Sequence, residues 1–357
     1  MVHPEERARP TLPDGWSARV PGDADIGALT ALLAANRRAG SSAPVDVATL
    51  TALVVGPASW TRRQRVVVDP SGAHVGWGVV HDRAAGRTEV TVLVAPEGAP
   101  ASTQDAVAAG LFAWADRAAA EVAALRRVSR TQLDAGTDAD DERQRRWLAA
   151  AGYACVRTWL HMDRPVRPEE GEPGVLAGPR PGVRVRRVRE HANGLPTAED
   201  LQTVHLVLEQ SFADHFNSYR EGFAEFVVRL QEDPWHRWDH WWVAEVEQDG
   251  VWRPGGALIS SVSPPDATGA YGSYVDYIGV HRRARGRGVA KALLNTVIAD
   301  AARRGRPRVS LEVDADSSTN ADGLYLSMGW AVDHRTESWH RYLDAGLEEL
   351  SDPAPLG

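Results

Sequence analysis

Cysteine is all but missing from the 357 residues: Cys155 stands alone. A single cysteine forms no intramolecular disulfide and no cysteine-only zinc site, which fits a reducing cytoplasm. Long apolar runs are missing too. No stretch approaches the roughly 18 residues of a membrane-spanning helix, and the opening MVHPEERARPTLPDG has no apolar segment of signal-peptide type. These absences predict a soluble, cytoplasmic protein with no membrane partner. An excess of positive charge is also lacking. The formal net charge of -8 argues against a nucleic-acid partner, whose phosphates demand a basic surface. Lysine is scarce, so basic character comes from arginines placed locally.

What is present is ordinary for a globular protein: 43% hydrophobic and 25% charged residues, enough for a core in each half. The length predicts about two domains. Residues 164–182, RPVRPEEGEPGVLAGPRPG, combine proline, glycine and charge with little periodicity and read as a linker. The expected boundaries are a flexible N-terminus (1–15), a first domain (16–163), the linker (164–182), a second domain (183–347) and a flexible tail (348–357).

The same order of elements recurs on both sides of the linker. WSARV and GVRVRRV read as opening strands, followed by helices such as DADIGALTALLAANRRA and DLQTVHLVLEQSF. RQRVVVDPSGAHVGWGVVHD and WWVAEVEQDGVWRPGGALISSVSP read as hairpins, and RTEVTVLVAP and SYVDYIGV as the strands after them. A long helix, a further strand, a short helix ending in Gly152-Tyr153-Ala154 or Gly329-Trp330-Ala331, and a closing strand complete each half. YACVRTWLHMDR and SWHRYLD are those closing strands.

The second half holds the most informative stretch, VDYIGVHRRARGRGVAKALL over residues 275–294. An apolar strand leads into an arginine- and glycine-rich turn, and the turn into an apolar helix. Gly286 and Gly288 let backbone approach a ligand, the first helical N–H groups lack partners, and the helix dipole favours an anion there. A strand, VSLEVD, and a helix carrying Tyr325 before Met328-Gly329-Trp330 follow.

This ordered set resembles the GNAT superfamily of acyl-CoA-dependent N-acetyltransferases. The resemblance rests on Val280, on Arg283-Ala284-Arg285-Gly286-Arg287-Gly288-Val289-Ala290, on the strand over 309–314, and on Leu324-Tyr325-Leu326-Ser327-Met328-Gly329-Trp330. It implies an α/β fold of tandem GNAT-like domains, each a mixed, mostly antiparallel central sheet flanked by helices. In layout the chain is similar to the tandem-domain mycothiol synthase type.

The resemblance further implies acetyl-CoA as co-substrate and a small-molecule amine as acceptor. Amides of residues 285–290, among them Arg285, Gly286, Arg287, Gly288, Val289 and Ala290, would cradle the pyrophosphate, with Arg283 adding charge. Ile278, Gly279 and Val280 would pair with the pantetheine arm, and the Val280 N–H would polarise the thioester carbonyl. Tyr325 falls where the family's general acid lies; a phenol of pKa about 10 can protonate a thiolate whose thiol has a pKa of about 8.5 if held close. Asp276, four residues before Val280 and so on the same face by strand alternation, is the candidate base, with Glu312 second. Other readings are a non-catalytic CoA-binding sensor and a protein N-acetyltransferase. The oligomeric expectation is monomer or homodimer.

Two departures weaken the match. Ser317 stands where many relatives carry asparagine, which leaves it one hydrogen bond for the cofactor, and His281 stands where a proline usually precedes the arginine turn. The first half departs further. Its turn, Ala95-Pro96-Glu97-Gly98-Ala99-Pro100, has an acid and prolines in place of arginines, and Leu148 occupies the offset of Tyr325. A degenerate GNAT-like first half that does not bind CoA in the usual way is expected. DPWHRWDHWW reads either as an aromatic acceptor pocket or as the start of a core strand, and His215 as an acceptor-site or an ordinary surface histidine. His236, Asp239 and His240 match no metal-ligand spacing, so no metal is expected.

Overall fold

The computed structural model describes residues 12–38, 46–83, 86–213, 221–266, 268–316 and 321–344. His215, Ser317, residues 1–11 of the expected N-terminal segment and the whole expected tail lie outside them. The chain forms two compact units, one of residues 1–158 with 336–357 and one of residues 159–335.

Unit 1 opens with strand β1 (Ser17–Arg19) and helices α1 (Ile26–Arg38) and α2 (Val47–Val54). Strands β2 (Arg62–Val68), β3 (His74–Arg83) and β4 (Arg87–Val94) lead to helix α3 (Ala101–Leu125), strand β5 (Arg130–Asp138) and helix α4 (Glu142–Ala150). Asp141 caps α4 by accepting the Gln144 N–H at 2.9 Å. Helix α2 was not anticipated; Asp46 caps it by accepting the Thr49 N–H at 2.7 Å.

Strand β6 (Ala154–Pro165) carries the chain into unit 2. There β7 (Val183–Arg187), helices α5 (Ala198–Phe212) and α6 (Phe223–Gln231), and strands β8 (His236–Gln248), β9 (Val251–Ser263) and β10 (Gly272–Val280) follow. Helix α7 (Val289–Arg303), strand β11 (Arg308–Asp314) and helix α8 (Ala321–Ser327) precede the last strand, β12 (Ala331–Asp344).

Within each unit the neighbouring strands are antiparallel except for one parallel pair, β4 with β5 in unit 1 and β10 with β11 in unit 2. Each unit is therefore the expected mixed, mostly antiparallel sheet flanked by helices. In unit 2 the apolar face of α7, with Val289, Leu293 and Val297, packs on Leu258, Val275 and Leu311. On the other face α5 and α6 bury Val204, Leu208, Phe226 and Leu230 against Trp241, Val243 and Ile259. Trp241 and Trp242 lie in these two opposed cores, as inward residues of a strand start do; this is the core-strand alternative for the tryptophan-rich segment.

The closing strands are exchanged. Thr336–Asp344 of β12 pairs with β5, from Thr336↔Asp138 to Asp344↔Arg130. Trp159–Pro165 of β6 pairs with β11, from Asp314↔Trp159 to Arg308↔Pro165. Side chains explain the choice. Trp339 enters the unit 1 core beside Leu133, Trp147 and Tyr153, while the Arg341 guanidinium lies 4.9 Å from the Tyr153 ring centroid. Met162 fills the unit 2 core, and Arg164 donates to the Met328 carbonyl at 2.8 Å.

Residues 16–163, isolated where the repeat ends in sequence, lack the β12 strand of their own sheet and keep a segment that pairs with β11. We expect this fragment not to unfold cooperatively by itself, and a 336–344 peptide to raise its amide protection. A cooperative transition of the bare fragment, indifferent to the peptide, would contradict the exchange.

Candidate functional site

Strands β10 and β11 stay together briefly. Their parallel pairing runs from Ser273↔Val309 to Val275↔Leu311, although β10 continues to Val280 and β11 to Asp314. Beyond Val275 a fork opens between them. β9 follows β10 to its end at Val280↔Gly256, with one irregularity between Val275 and Tyr277. Asp276 is the extra residue there, a bulge of the kind that bends a strand and re-aims a side chain.

The bulge also overturns an expectation. Val275 belongs to the core under α7, whereas Tyr277 packs with the core under α5 and α6, so the alternation slips by one at Asp276. Val280 packs toward α7. Asp276 instead lies beside Ser261, Asp233 and Arg229, so the two residues do not share a face as simple alternation required.

The free edge of β10 is polar in a defined way. His281 N–H donates to the Gly255 carbonyl at 3.0 Å, which fixes the alternation of hydrogen-bonded and non-bonded pairs along β9 and β10. Val280 and Ile278 fall on non-bonded pairs, so their main-chain N–H and C=O groups point away from β9 into the fork. Gly279, between them, sits where a Cβ would come within 2.9 Å of Ser211 Cβ, so only glycine lets α5 close on the strand.

The turn after β10 spends its first amides and leaves the rest. His281 Nδ1 accepts the Arg283 N–H at 3.2 Å, Ala284 N–H reaches the His281 carbonyl at 2.8 Å, and Arg285 N–H the Arg282 carbonyl at 3.4 Å. His281 thus caps this short turn with its own side chain. Among the described residues, the amides of Gly286, Arg287, Gly288, Val289, Ala290 and Lys291 have no acceptor; the first bond of α7 is Ala292 N–H to the Gly288 carbonyl at 3.0 Å. The expected cradle is therefore shifted: Arg285 N–H turns inward, and Lys291 joins. Gly286 and Gly288 hold φ of 78° and 81°, a left-handed backbone that turns these amides outward together. Arg282, Arg283 and Arg285 are exposed and pair with no carboxylate among the described residues. Arg287 is committed, donating to the Glu247 carbonyl at 3.0 Å.

Tyr325 stands on α8 with only 7% of its surface exposed, its ring 5.9 Å from that of Trp330. Burial pushes the phenol up to about 12, so it stays protonated at neutral pH. Asp276 is pushed up to about 8, first by burial and then by the Asp233 carboxylate. Ser261 Oγ donates to its Oδ1 at 3.1 Å, while Oδ2 is buried without a hydrogen-bond partner among the described residues. Glu312, the second candidate, lies across the fork on β11 and is bound to His161 Nε2 at 2.8 Å, a partner that only the strand exchange supplies. His161 in turn stacks on His334 at 4.1 Å.

Unit 1 has the same fork with carbonyls along it capped by side chains. β4 and β5 pair only from Arg87↔Gln132 to Glu89↔Asp134, and Ala95 N–H donates to the Val75 carbonyl at 2.9 Å, as His281 does to Gly255. The carbonyls that then face the fork are capped: Arg143 donates to Val94 at 3.2 Å and Gln144 to Val92 at 3.0 Å. Gln104 closes the turn by donating to the carbonyls of Pro96 and Ala99. Leu148, fully buried, takes the place of Tyr325, its carbonyl receiving the Tyr153 N–H as that of Tyr325 receives the Trp330 N–H. Sequence reasoning missed the plugging residues Arg143 and Gln144. They sit on a polar helix whose spacing to the fork is visible only in three dimensions.

Asp239 and His240 are held in a local network of hydrogen bonds and ion pairs. His240 donates from Nδ1 to Asp239 at 2.6 Å and accepts from Arg306 at 2.7 Å, while the Asp239 carboxylate also takes Arg304 at 2.8 Å. No group of three or more potential metal ligands occurs among the described residues. None of the described helices is long and apolar enough to cross a membrane.

Residues 208–330 match the family model for acetyltransferases of the GNAT family. Among solved structures, a GCN5-related N-acetyltransferase from Sphaerobacter thermophilus is 24% identical over 94% of this chain and 98% of its own, with a TM-score of 0.68. A tandem GNAT protein from the clavulanic acid biosynthesis pathway is 15% identical over 93% and 99%, with a TM-score of 0.63. The glucosamine N-acetyltransferase region of a fungal β-N-acetylglucosaminidase is 12% identical, with a TM-score of 0.63; 92% of this chain aligns with 38% of that one. At these identities the likeness is one of fold. No curated protein sequence matches the chain.

The raised Asp276 has a consequence for stability. The folded state keeps its proton up to about pH 8, whereas the unfolded chain releases it near 3.8, so this group makes folding less favourable as pH rises between those values. Asp276→Asn removes that slope. In thermal unfolding its Tm is expected to gain on the wild type steadily from pH 4 to 8 and to hold the gain above; a pH-independent difference would show the carboxyl to be unperturbed.

Proposed function

We propose that the chain, whose residues 208–330 match the acetyltransferase (GNAT) family model, transfers acetyl from acetyl-CoA to a small-molecule amine at the fork of unit 2. The observation that carries this reading is the set of unspent main-chain groups: Ile278 and Val280 along the fork, and the six amides from Gly286 to Lys291 at its end. An extended amide-bearing arm satisfies the first set as an added strand does, and a pyrophosphate satisfies the second. Ile278 and Val280 hold the arm, while Gly279, whose main-chain groups are bonded to β9, serves only to let α5 close on the strand; Gly286, Arg287, Gly288, Val289 and Ala290 hold the phosphates. Arg283 and Arg285 act through their unpaired guanidinium groups.

The chemistry follows from this placement. The amine nitrogen attacks the thioester carbonyl carbon, and the Val280 N–H donates to the oxygen as it gains charge. Asp276 accepts the proton that nitrogen sheds, its unpartnered Oδ2 being the oxygen free to do so. The C–S bond then breaks, and Tyr325 gives its proton to the departing thiolate. A phenol raised to about 12 is a reluctant donor, so the thiolate must meet it in the same desolvated surroundings, where its own basicity is raised. Unit 1, with its fork capped by Arg143 and Gln144, has no part in binding CoA.

A base with a pKa of about 8 is protonated and idle below that pH, so kcat/KM is expected to climb tenfold per pH unit below 8 and level off above it. Asp276→Asn should lose that limb and about two orders of magnitude in rate. Tyr325→Phe should lower kcat by a similar amount with CoA affinity unchanged. A thiol-release assay over a panel of small amines, paired with CoA titrations, checks both. Turnover of Tyr325→Phe at the wild-type rate would remove the acid role, and CoA binding without turnover of any amine would leave a sensor.

A further inference from the structure

The segment between the repeats does more than connect them. Gly171 packs against Ala302 and Arg303 at the C-terminal end of α7, where a Cβ would lie 3.1 Å from Arg303 Cγ. Further along, the Ala177 carbonyl accepts Asn295 Nδ2 at 2.8 Å, and Leu176 packs on the core beneath. Arg180 then reaches the N-terminal end of α7: a Cβ on Gly288 would come within 3.0 Å of Arg180 Cδ and 3.1 Å of its Nε. The segment runs the length of the helix and delivers a guanidinium to the turn whose amides are unspent.

That guanidinium is exposed and nearly unengaged. Its one contact is a long bond from Nη1 to the Gly286 carbonyl at 3.5 Å, and no carboxylate pairs with it among the described residues. Its backbone is held, since the Arg180 carbonyl accepts the Val183 N–H at 3.0 Å. Arg287, which sequence places in the turn, points its side chain at Glu247 instead. Arg180 therefore stands over the helix start with its donor fork free, in the geometry that phosphate oxygens match in pairs.

We propose that Arg180 is a phosphate-binding residue for the coenzyme, clamping from the interdomain segment a phosphate group seated on the α7 turn. This rests on the acetyl-CoA reading of the fork. It makes residues 168–182 a part of the binding site, so that loss of the segment and loss of coenzyme go together.

Calorimetric titration of the full chain with CoA and with dephospho-CoA tests it, using the wild type, Arg180→Ala, Arg180→Lys and the double variant Arg283→Glu/Arg285→Glu. Arg180→Ala is expected to weaken CoA binding roughly tenfold, as loss of one charge-assisted phosphate contact does, with Arg180→Lys recovering part of it and Tm unchanged. An equal loss for dephospho-CoA assigns the contact to the pyrophosphate; a loss confined to CoA assigns it to the 3′-phosphate. Wild-type affinity in Arg180→Ala, while the double variant loses binding, overturns the proposal and leaves the acetyl-CoA reading intact. A fall in affinity matched by a fall in Tm and not rescued by lysine also overturns it, since Arg180 would then only brace the helix. Absence of CoA binding by the wild type removes both.

Discussion

Two parallel strands that part after three paired residues govern what unit 2 can do. Had β10 and β11 stayed paired to their ends, the main-chain groups of Ile278 and Val280 would be consumed by the sheet, and no edge would remain for a ligand. The bulge at Asp276 goes with this parting. It shifts the side-chain alternation by one residue, places Ile278 and Val280 toward α7 and Tyr277 toward α5, and leaves the Asp276 carboxyl in a desolvated position that Ser261 partly satisfies. An unpaired buried oxygen costs stability. Its retention here is consistent with a site where function takes precedence over packing.

The two units differ less in fold than in how their polar groups are spent. Both have a parallel pair that parts early, both end a short helix on a glycine with positive φ, Gly152 at 84° and Gly329 at 91°, and both turn into a long helix after the forked strand. In unit 1 side chains of α4 cap the carbonyls of Val92 and Val94, and Gln104 bonds the carbonyls of the turn. In unit 2 the turn's amides from Gly286 to Lys291 and the guanidinium groups of Arg282, Arg283 and Arg285 have no partner of this kind among the described residues. One copy of the architecture is closed by its own residues, and the other is open to a ligand.

Much of this was legible in the chain. Strand, turn and helix around VDYIGVHRRARGRGVAKALL are local in sequence, so hydrophobic period and glycine placement revealed them, and the resemblance of 324–330 located Tyr325. What was not legible is non-local. YACVRTWLHMDR and SWHRYLD alternate in the same way, so nothing in either says which sheet it completes; that is decided by Trp339 meeting the unit 1 core and Met162 the unit 2 core. The bulge that moved Asp276 off the face of Val280 leaves no composition signal. Arg180 reads as one charge among many in a proline-rich stretch, until the segment is laid along α7.

We propose that the chain holds two copies of one fold and a single coenzyme site, at the fork of unit 2. The stoichiometry of CoA binding tests it most directly, measured by calorimetry on the intact chain and on the double variant with Arg283 and Arg285 reversed in charge, exposed residues whose change spares the core. One CoA per chain, lost in the double variant, is the predicted result. Two per chain, or one that survives the reversal, would contradict it.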